Sequence, residues 1–208
     1  YAHEVNVDGT ANLIKGLLTH SPKAFLVYTS SIAVYGDRLQ DPMITVNDLT
    51  KASLNDNYAK TKLKAEELIK ESSIEWSILR LTAIMGDHGF SKLMFHMPLA
   101  TLLEIATLED TARALVNSID HLPELSGKLF NLGGGENCRT KFIDFLARSF
   151  ELAGLGNIDF PDKTFAEKNF HCGYYVDGGE LNQILNFQKD DLEAYFVKEA
   201  AKINPLQK

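Results

Sequence analysis

Apolar residues recur along the chain at two spacings, which predict alternating helices and strands. Residues 3–19 carry four apolar side chains at 4-3-4 spacing, the pattern of one helical face. These are Val7, Ala11, Ile14 and Leu18. Short, continuous apolar runs at 24–29 and 75–81 are rich in β-forming residues and predict buried strands.

Two further helices are predicted from start signals. One covers residues 57–72 and follows Ser53-x-x-Asp56, a sequence similar to a capping box. The other begins after Thr107-x-x-Asp110. Its apolar residues are expected to share a face: Leu108, Ala112, Leu115, Val116 and Ile119.

The last third of the chain continues the alternation. A strand is predicted over 128–132, followed by Gly133–Gly135 and a helix over 141–153. A final helix is predicted over 190–202. Strands that alternate with helices indicate an α/β protein with a mostly parallel sheet covered on both faces.

Composition excludes several classes of function. The 208 residues are 45% apolar and 24% charged, as in an ordinary globular protein. A net charge of −7 without clustered basic residues argues against nucleic-acid binding. No apolar run could span a bilayer, and no signal pattern begins the chain. Two cysteines without a CxxC and six histidines without ligand spacing predict a cytoplasmic protein with free thiols and no metal site.

The strongest chemical pattern is Tyr58-x-x-x-Lys62. On a helix the two side chains emerge on one face, because residues four apart are neighbours. An ammonium beside a phenol stabilises the phenolate, so the pair favours acid–base chemistry near neutral pH. Taken alone, the pair also fits a surface helix with one tyrosine packed inward.

Hydroxyl side chains follow the first predicted strand, at Thr29, Ser30 and Ser31. Catalytic groups in open α/β sheets lie at the carboxyl ends of strands, so Ser31 could contact a substrate hydroxyl or carbonyl beside Tyr58. The alternative is that Thr29–Ser31 only form a polar turn.

Four segments in order carry a family resemblance: VNVDGTANLI, VYTSSIAVYGD, NYAKTKLKAEEL and SILRLTAIMGD. Together they resemble the extended short-chain dehydrogenase/reductase family, which includes nucleotide-sugar epimerases and dehydratases. The resemblance implies a partial Rossmann-like, doubly wound parallel sheet with a small C-terminal α/β substrate lobe. Residues 1–85 would belong to the dinucleotide-binding domain, and residues 86–208 to the substrate lobe with elements that return to the sheet.

The resemblance also implies catalytic roles. Tyr58 would be the acid–base in a hydride transfer between a small-molecule substrate and NAD or NADP. Lys62 would favour the phenolate and bind the nicotinamide ribose. Ser31 would orient the reacting oxygen.

Four more positions match segments that contact the cofactor in the family. Thr29 and the backbone of Leu81 and Thr82 would line the nicotinamide pocket, alongside Tyr58 and Lys62. Asn6 matches a helix asparagine of the family, although it could equally be an asparagine that permits close helix packing.

The sequence departs from the family in two respects. No GxxGxxG or GxGxxG occurs, and Gly133–Gly135 is predicted to be a strand-to-helix turn of the small lobe rather than a phosphate-binding loop. The resemblance thus implies that about two and a half strand–helix units precede Tyr1 in the whole protein. Ala83 stands where epimerases often carry an asparagine for the substrate phosphate, so a nucleotide sugar and a smaller carbonyl compound both stay open.

Two questions and one expectation complete the sequence analysis. The choice between NAD and NADP depends on a residue outside the sequence. A non-catalytic cofactor-binding or scaffold protein is the alternative to an enzyme. Helices 3–19 and 57–72 pair into a dimer interface in many family members, so we expect a homodimer, and apolar Ala59 and Leu63 are compatible with one.

Overall fold

The computed structural model describes residues 1–86, 90–168 and 171–203. Its strands are β1 Phe25–Ser31, β2 Met43–Ile44, β3 Glu75–Leu81, β4 Ala83–Met85, β5 Leu102–Thr107, β6 Lys128–Leu132, β7 Arg139–Lys141 and β8 Tyr174–Tyr175. Its α-helices are α1 Gly9–His20, α2 Asn57–Glu71, α3 Leu108–Asn117, α4 Leu122–Leu125, α5 Phe142–Leu152, α6 Gly178–Leu185 and α7 Leu192–Lys202. A π-helical turn, Glu4–Asp8, leads into α1.

The main sheet is parallel and has the order β1-β3-β6. Ser31 at the end of β1 pairs with Leu81 at the end of β3, which in turn pairs with Leu132 of β6. The carboxyl ends of all three strands therefore meet at one edge. Helices cover both faces, so the predicted α/β fold with a parallel, doubly wound sheet is confirmed.

The two faces have separate cores. Helices α1 and α2 pack Ile14 and Ile69 against Ile78 of β3. On the other face, α3 and α6 pack Ala114 and Leu181 against Leu79 and neighbouring residues. Among the described residues, no helix is long and apolar enough to cross a membrane.

Two small sheets extend the main one. Strands β4, β5 and β7 form one of them, with β4 parallel and β7 antiparallel to β5. Strands β2 and β8 form the other. Because β6 belongs to the main sheet although it follows β4 and β5, the later part of the chain returns to the core as expected. The boundary near residue 85 stays a prediction, and residues 87–89 beside it lie outside the described ones.

The predicted helix faces need correction at both ends of the chain. Helix α1 and the turn before it bury Val7, Thr10 and Ile14, whereas Ala11 and Leu18 are exposed. The buried positions follow a 3-4 spacing, so the inward face is rotated from the predicted one. The apolar pattern located the helix and two of its buried residues, Val7 and Ile14, but was wrong about Ala11 and Leu18.

Helix α3 departs further from the prediction. Its inward face consists of Asp110, Thr111 and Ala114, followed by Ser118. All five residues of the predicted apolar face are exposed: Leu108, Ala112, Leu115, Val116 and Ile119. Polar side chains can occupy the inward face because they form hydrogen bonds there, as when Asp110 accepts from the backbone N–H groups of Lys189 and Asp190.

The helix caps are partly as predicted. Thr107 caps α3, since its Oγ1 accepts from the Asp110 N–H at 3.1 Å. Helix α2 is capped by Asp56 itself, whose Oδ1 accepts from the Ala59 N–H at 2.9 Å, rather than by Ser53. Ala59 is fully buried and Leu63 packs against a core cluster, so neither supplies an outward surface for a dimer.

Candidate active site

Ser31 lies at the carboxyl end of β1, where the chain turns into a single 3₁₀ turn, Ile32–Tyr35. Its Oγ accepts a hydrogen bond from the Ala33 N–H at 3.2 Å, which caps this turn. A serine hydroxyl has one proton to donate besides its acceptor lone pairs, so this bond leaves the donor available for a substrate oxygen. Ser31 can therefore cap the turn and donate a hydrogen bond to a substrate at the same time.

Tyr58 and Lys62 lie on the N-terminal half of α2. Tyr58 is 46% exposed. The Lys62 Nζ donates to the Thr29 backbone oxygen at 2.8 Å and lies 5.8 Å from the centroid of the Tyr58 ring. The structure therefore brings Thr29, Tyr58 and Lys62 together. The contact of Lys62 with Thr29 is made by the backbone carbonyl oxygen of Thr29 rather than by its hydroxyl.

Burial lowers the pKa of Lys62, and the negative charge of Glu66 partly opposes this shift. The cation is held in a half-buried position between α2 and β1. An ammonium has three donors, so the bond to Thr29 leaves two for a ligand.

Tyr28 is a neighbour of this pair that the sequence did not single out. The Lys62 Nζ lies 4.8 Å from the centroid of its ring. Burial, followed by the charges of Tyr58 and Glu66, raises the pKa of Tyr28 to about 12. This phenol stays protonated at neutral pH, which leaves Tyr58 as the exposed phenol beside Lys62. The period-2 alternation of β1 could have revealed it, because Tyr28 and Ser30 face α2 from alternate positions.

Asn6 supports α2 from the π-helical turn. Its Nδ2 donates to Thr61 Oγ1 at 3.0 Å, and Thr61 Oγ1 donates to the Tyr58 backbone oxygen at 2.8 Å. These bonds connect Asn6 to the turn of helix that carries Tyr58. The packing interpretation of Asn6 is therefore the one with contacts in the structure, and a cofactor contact stays a prediction.

Leu81 and Thr82 follow the end of β3. Leu81 packs against the core on the α3 side of the sheet. The Thr82 backbone N–H donates to Leu132 O at 3.0 Å, and its hydroxyl donates to Glu104 O at 2.6 Å. Both donors of Thr82 are therefore used inside the protein, and only acceptor groups are left to line a pocket.

A buried ion pair joins α2 to β3. Glu66 and Arg80 are 1% and 4% exposed. Arg80 donates from Nε to Glu66 Oε1 at 3.0 Å and from Nη2 to Oε2 at 2.7 Å. Ser30 donates to Oε1 at 2.6 Å. Burial alone would raise the pKa of Glu66, but Arg80 and Ser30 hold it below its usual value.

The network continues across the sheet. Arg80 Nη1 donates to the Tyr35 hydroxyl at 2.9 Å, which donates to Asn131 Oδ1 at 2.8 Å. Asn131 Nδ2 then donates to Asp177 Oδ1 at 2.8 Å. A buried chain of bonds thus joins α2 to the start of α6, and it fixes the helix that carries the Tyr58–Lys62 pair.

The Gly133–Gly135 segment serves packing. A Cβ on Gly133 would lie 2.0 Å from Glu104 Oε1, and one on Gly134 would lie 2.3 Å from Ile105 O. Glu104 is buried, pairs with Arg139 and accepts from the Gly135 N–H. The segment leads into a 3₁₀ turn and β7 rather than directly into a helix, so it is a turn but not a strand-to-helix one.

Comparison with known proteins adds the following. Residues 1–78 match the family model of the 3-beta hydroxysteroid dehydrogenase/isomerase family. A short-chain dehydrogenase/reductase superfamily protein from Agrobacterium tumefaciens, solved with NAD, is 21% identical, with a TM-score of 0.71 over 95% of this chain and 71% of that one. These matches agree with the resemblance to the extended short-chain dehydrogenase/reductase family over residues 1–78, and the solved structure shares the fold.

Two further solved proteins have similar structures. MoeE5, solved with UDP-glucuronic acid and NAD, is 20% identical, with a TM-score of 0.70 over 94% of this chain and 70% of that one. UDP-glucuronic acid 4-epimerase from Bacillus cereus, solved with the same two ligands, is 18% identical, with a TM-score of 0.71 over 92% and 66%. At these identities the likeness shows the fold alone. A search of curated proteins finds no match.

Proposed function

We propose that this chain carries the catalytic residues of an NAD(P)-dependent oxidoreductase or epimerase. The observation that carries the proposal is the Tyr58–Lys62 pair, held at the carboxyl end of β1 by the bond from Lys62 to Thr29 O. The family match over residues 1–78, which include this pair, supports it. So does the NAD in the similar structures.

The residues present fit the reacting end of such a cofactor. Lys62 offers a half-buried cation with two donors beyond the one bonded to Thr29, which suits a pair of ribose hydroxyls. When bound, the nicotinamide would supply the site that accepts or gives the hydride. The sequence contains no glycine-rich pyrophosphate-binding motif. Gly133 and Gly134 do not supply such a loop, because their backbone packs directly against Glu104 and Ile105. The chain spans 66–71% of the length of the similar structures, so the activity is proposed for the whole protein.

Tyr58 would hold and transfer the proton. Its Oη takes the proton of a substrate hydroxyl as that carbon becomes a carbonyl, and returns it in the reverse direction. Lys62 stabilises the phenolate form through its positive charge, and Ser31 donates a hydrogen bond to the same substrate oxygen. Tyr28 cannot replace Tyr58, because its pKa of about 12 keeps it protonated.

The substrate class to test first is a nucleotide sugar, because MoeE5 and the Bacillus cereus epimerase were solved with UDP-glucuronic acid. Ala83 offers only an apolar contact against the core at the position where the family often carries an asparagine. A small carbonyl compound is therefore the second class. A homodimer and a cytoplasmic location remain part of the proposal.

The test is turnover in the full-length protein with each substrate class, followed through the absorbance of the reduced nicotinamide and through the appearance of epimer. Ser31→Ala should lower kcat with the cofactor affinity unchanged, because the hydroxyl acts on the substrate oxygen. Cofactor binding without turnover of either class would favour the non-catalytic alternative.

A further inference from the structure

A cavity of about 650 Å³ beside the first turn of α2 is lined by three lysines, Lys51, Lys60 and Lys168. We call it the lysine cavity. Asp37 is the one acidic residue that lines it, which leaves two more positive than negative groups. Tyr58, Lys62 and Ser31 do not line it, so it is separate from the proposed reacting centre.

The charge of the lysine cavity is unusual for this protein, whose net charge is −7. Lys64, Lys70 and Lys198 each form an ion pair with a carboxylate. Within the described ranges, no carboxylate pairs with Lys51, Lys60 or Lys168. Asp37 instead accepts from the backbone N–H of Leu39 at 3.0 Å. Three lysines therefore line one cavity with a single carboxylate, Asp37, among its lining residues.

The walls of the cavity are fixed by packing. The Lys51 backbone N–H donates to Val34 O at 2.9 Å. Gly36 has a φ of 70°, and a Cβ there would lie 2.2 Å from Lys51 O and 3.4 Å from Ser53 Oγ. The segment with Lys51 and Ser53 thus packs directly on Gly36, where a larger residue would displace it.

Two further walls are equally constrained. Tyr35 is 3% exposed, and its hydroxyl is held between Arg80 and Asn131. Lys60 projects from α2, whose first turn is capped by Asp56. The backbone that carries Lys51 and Lys60 is therefore held in place, while the three lysine side chains are exposed and can reach a ligand.

We propose that the lysine cavity binds the phosphate or diphosphate group of a small molecule. Lysine ammonium groups bind phosphate as point charges, and a volume of this size suits a small ligand. An adjoining cavity of about 400 Å³ shares Leu54 and Lys168 with it and has a mixed polar and apolar lining, completed by Asn55, Asp56, Phe95, His96 and Ala166. It offers space for another part of the same molecule. The proposal does not rest on the proposed oxidoreductase activity.

The experiment titrates the protein with inorganic pyrophosphate and follows the heat of binding and the shift in Tm. The site variant combines Lys51→Gln, Lys60→Gln and Lys168→Gln. The control variant combines Lys15→Gln, Lys23→Gln and Lys141→Gln, which remove the same charge from exposed lysines elsewhere. We expect saturable binding to the wild type and the control, and a loss of about tenfold in affinity for each lysine removed from the cavity.

Two results would overturn the proposal. One is the absence of saturable pyrophosphate binding to the wild type, and the other is an equal loss of affinity in the site and control variants. Tyr58→Phe should bind pyrophosphate as the wild type does. This variant separates the proposals, since a failure of Tyr58 catalysis leaves pyrophosphate binding unchanged and a failure of pyrophosphate binding leaves Tyr58 catalysis unchanged.

Discussion

Helices α2 and α3 cover opposite faces of the same sheet, and each buries polar side chains. Helix α2 buries Glu66 together with apolar Ala65 and Ile69; Glu66 pairs with Arg80, and Ile69 packs against Ile78 of β3. Helix α3 buries Asp110 and leaves its predicted apolar face exposed. The difference teaches that an apolar stripe locates a helix, whereas hydrogen-bond partners on neighbouring elements decide which side faces inward.

The largest effect is expected from the buried ion pair between Glu66 of α2 and Arg80 of β3. Arg80→Met removes both guanidinium bonds to buried Glu66 and leaves it only Ser30 and the partly exposed Lys70, which should lower the free energy of unfolding by about 3 to 5 kcal/mol. Lys64→Met is the matched control, because Lys64 and its partner Glu67 are exposed and such pairs contribute about 0 to 1 kcal/mol. Urea unfolding measures both. Equal losses would mean that the Glu66–Arg80 pair does not stabilise the fold.

The same pair predicts a dependence on pH. The pKa of Glu66 is lowered in the folded protein, so its ionised form contributes stability above the ordinary glutamate pKa of about 4.3. That contribution is lost as the pH falls through the lower, folded value. Unfolding curves measured at descending pH should show this loss in the wild type. In Arg80→Met the loss should be smaller, and an unchanged profile would contradict the assignment.

A smaller effect is expected from the glycine segment. Gly134→Ala places a Cβ about 2.3 Å from Ile105 O, which should cost about 1 to 3 kcal/mol. Gly16→Ala on α1 has nothing within 4 Å and should stabilise the protein by about 0.5 to 1 kcal/mol. Thermal unfolding of the two variants distinguishes them by the sign of the change in Tm. A Gly134→Ala protein as stable as the wild type would contradict the close approach of this backbone to Ile105 O.

The smallest effect is expected from the exposed apolar residues of α3 and the turn that follows it. Val116→Glu combined with Ile119→Lys should change the free energy of unfolding by no more than about 0.5 kcal/mol, because these side chains are 63% and 69% exposed. Ala114→Leu on the inward face of the same helix should cost about 1 to 3 kcal/mol by overpacking. A large loss in the double variant would show that this face is covered in solution.

Much of the fold follows from the sequence. The strands 75–81 and 128–132 were predicted with the bounds that the structure has, because continuous apolar runs between turn residues mark buried parallel strands. The buried faces of α1 and α3 could not be predicted in this way. Their inward positions include polar residues that an apolar pattern does not mark: Thr10 donates to Asn6 O one turn earlier, and Asp110 accepts from the distant Lys189 N–H.

Some features of the candidate site could likewise be predicted from the sequence, and others could not. Spacing placed Tyr58 and Lys62 on one helix face, and the structure adds that Lys62 is anchored by Thr29 O. The contribution of Tyr28 depends on its burial between β1 and the two helices. The Glu66–Arg80 pair depends on contacts between residues 14 positions apart on different elements. Local spacing does not indicate the ion pair, whereas the alternation of β1 could have indicated that Tyr28 faces α2.

The most direct test of the central claim compares Tyr58→Phe with Tyr28→Phe in the full-length protein, with kcat and cofactor affinity measured for both. Tyr58→Phe should lower kcat by about 10²- to 10⁴-fold and leave cofactor affinity nearly unchanged, because it removes the proton-transferring group. Tyr28→Phe should keep most of the wild-type kcat, because that phenol has a pKa of about 12 and stays protonated. Wild-type turnover in Tyr58→Phe would contradict the account.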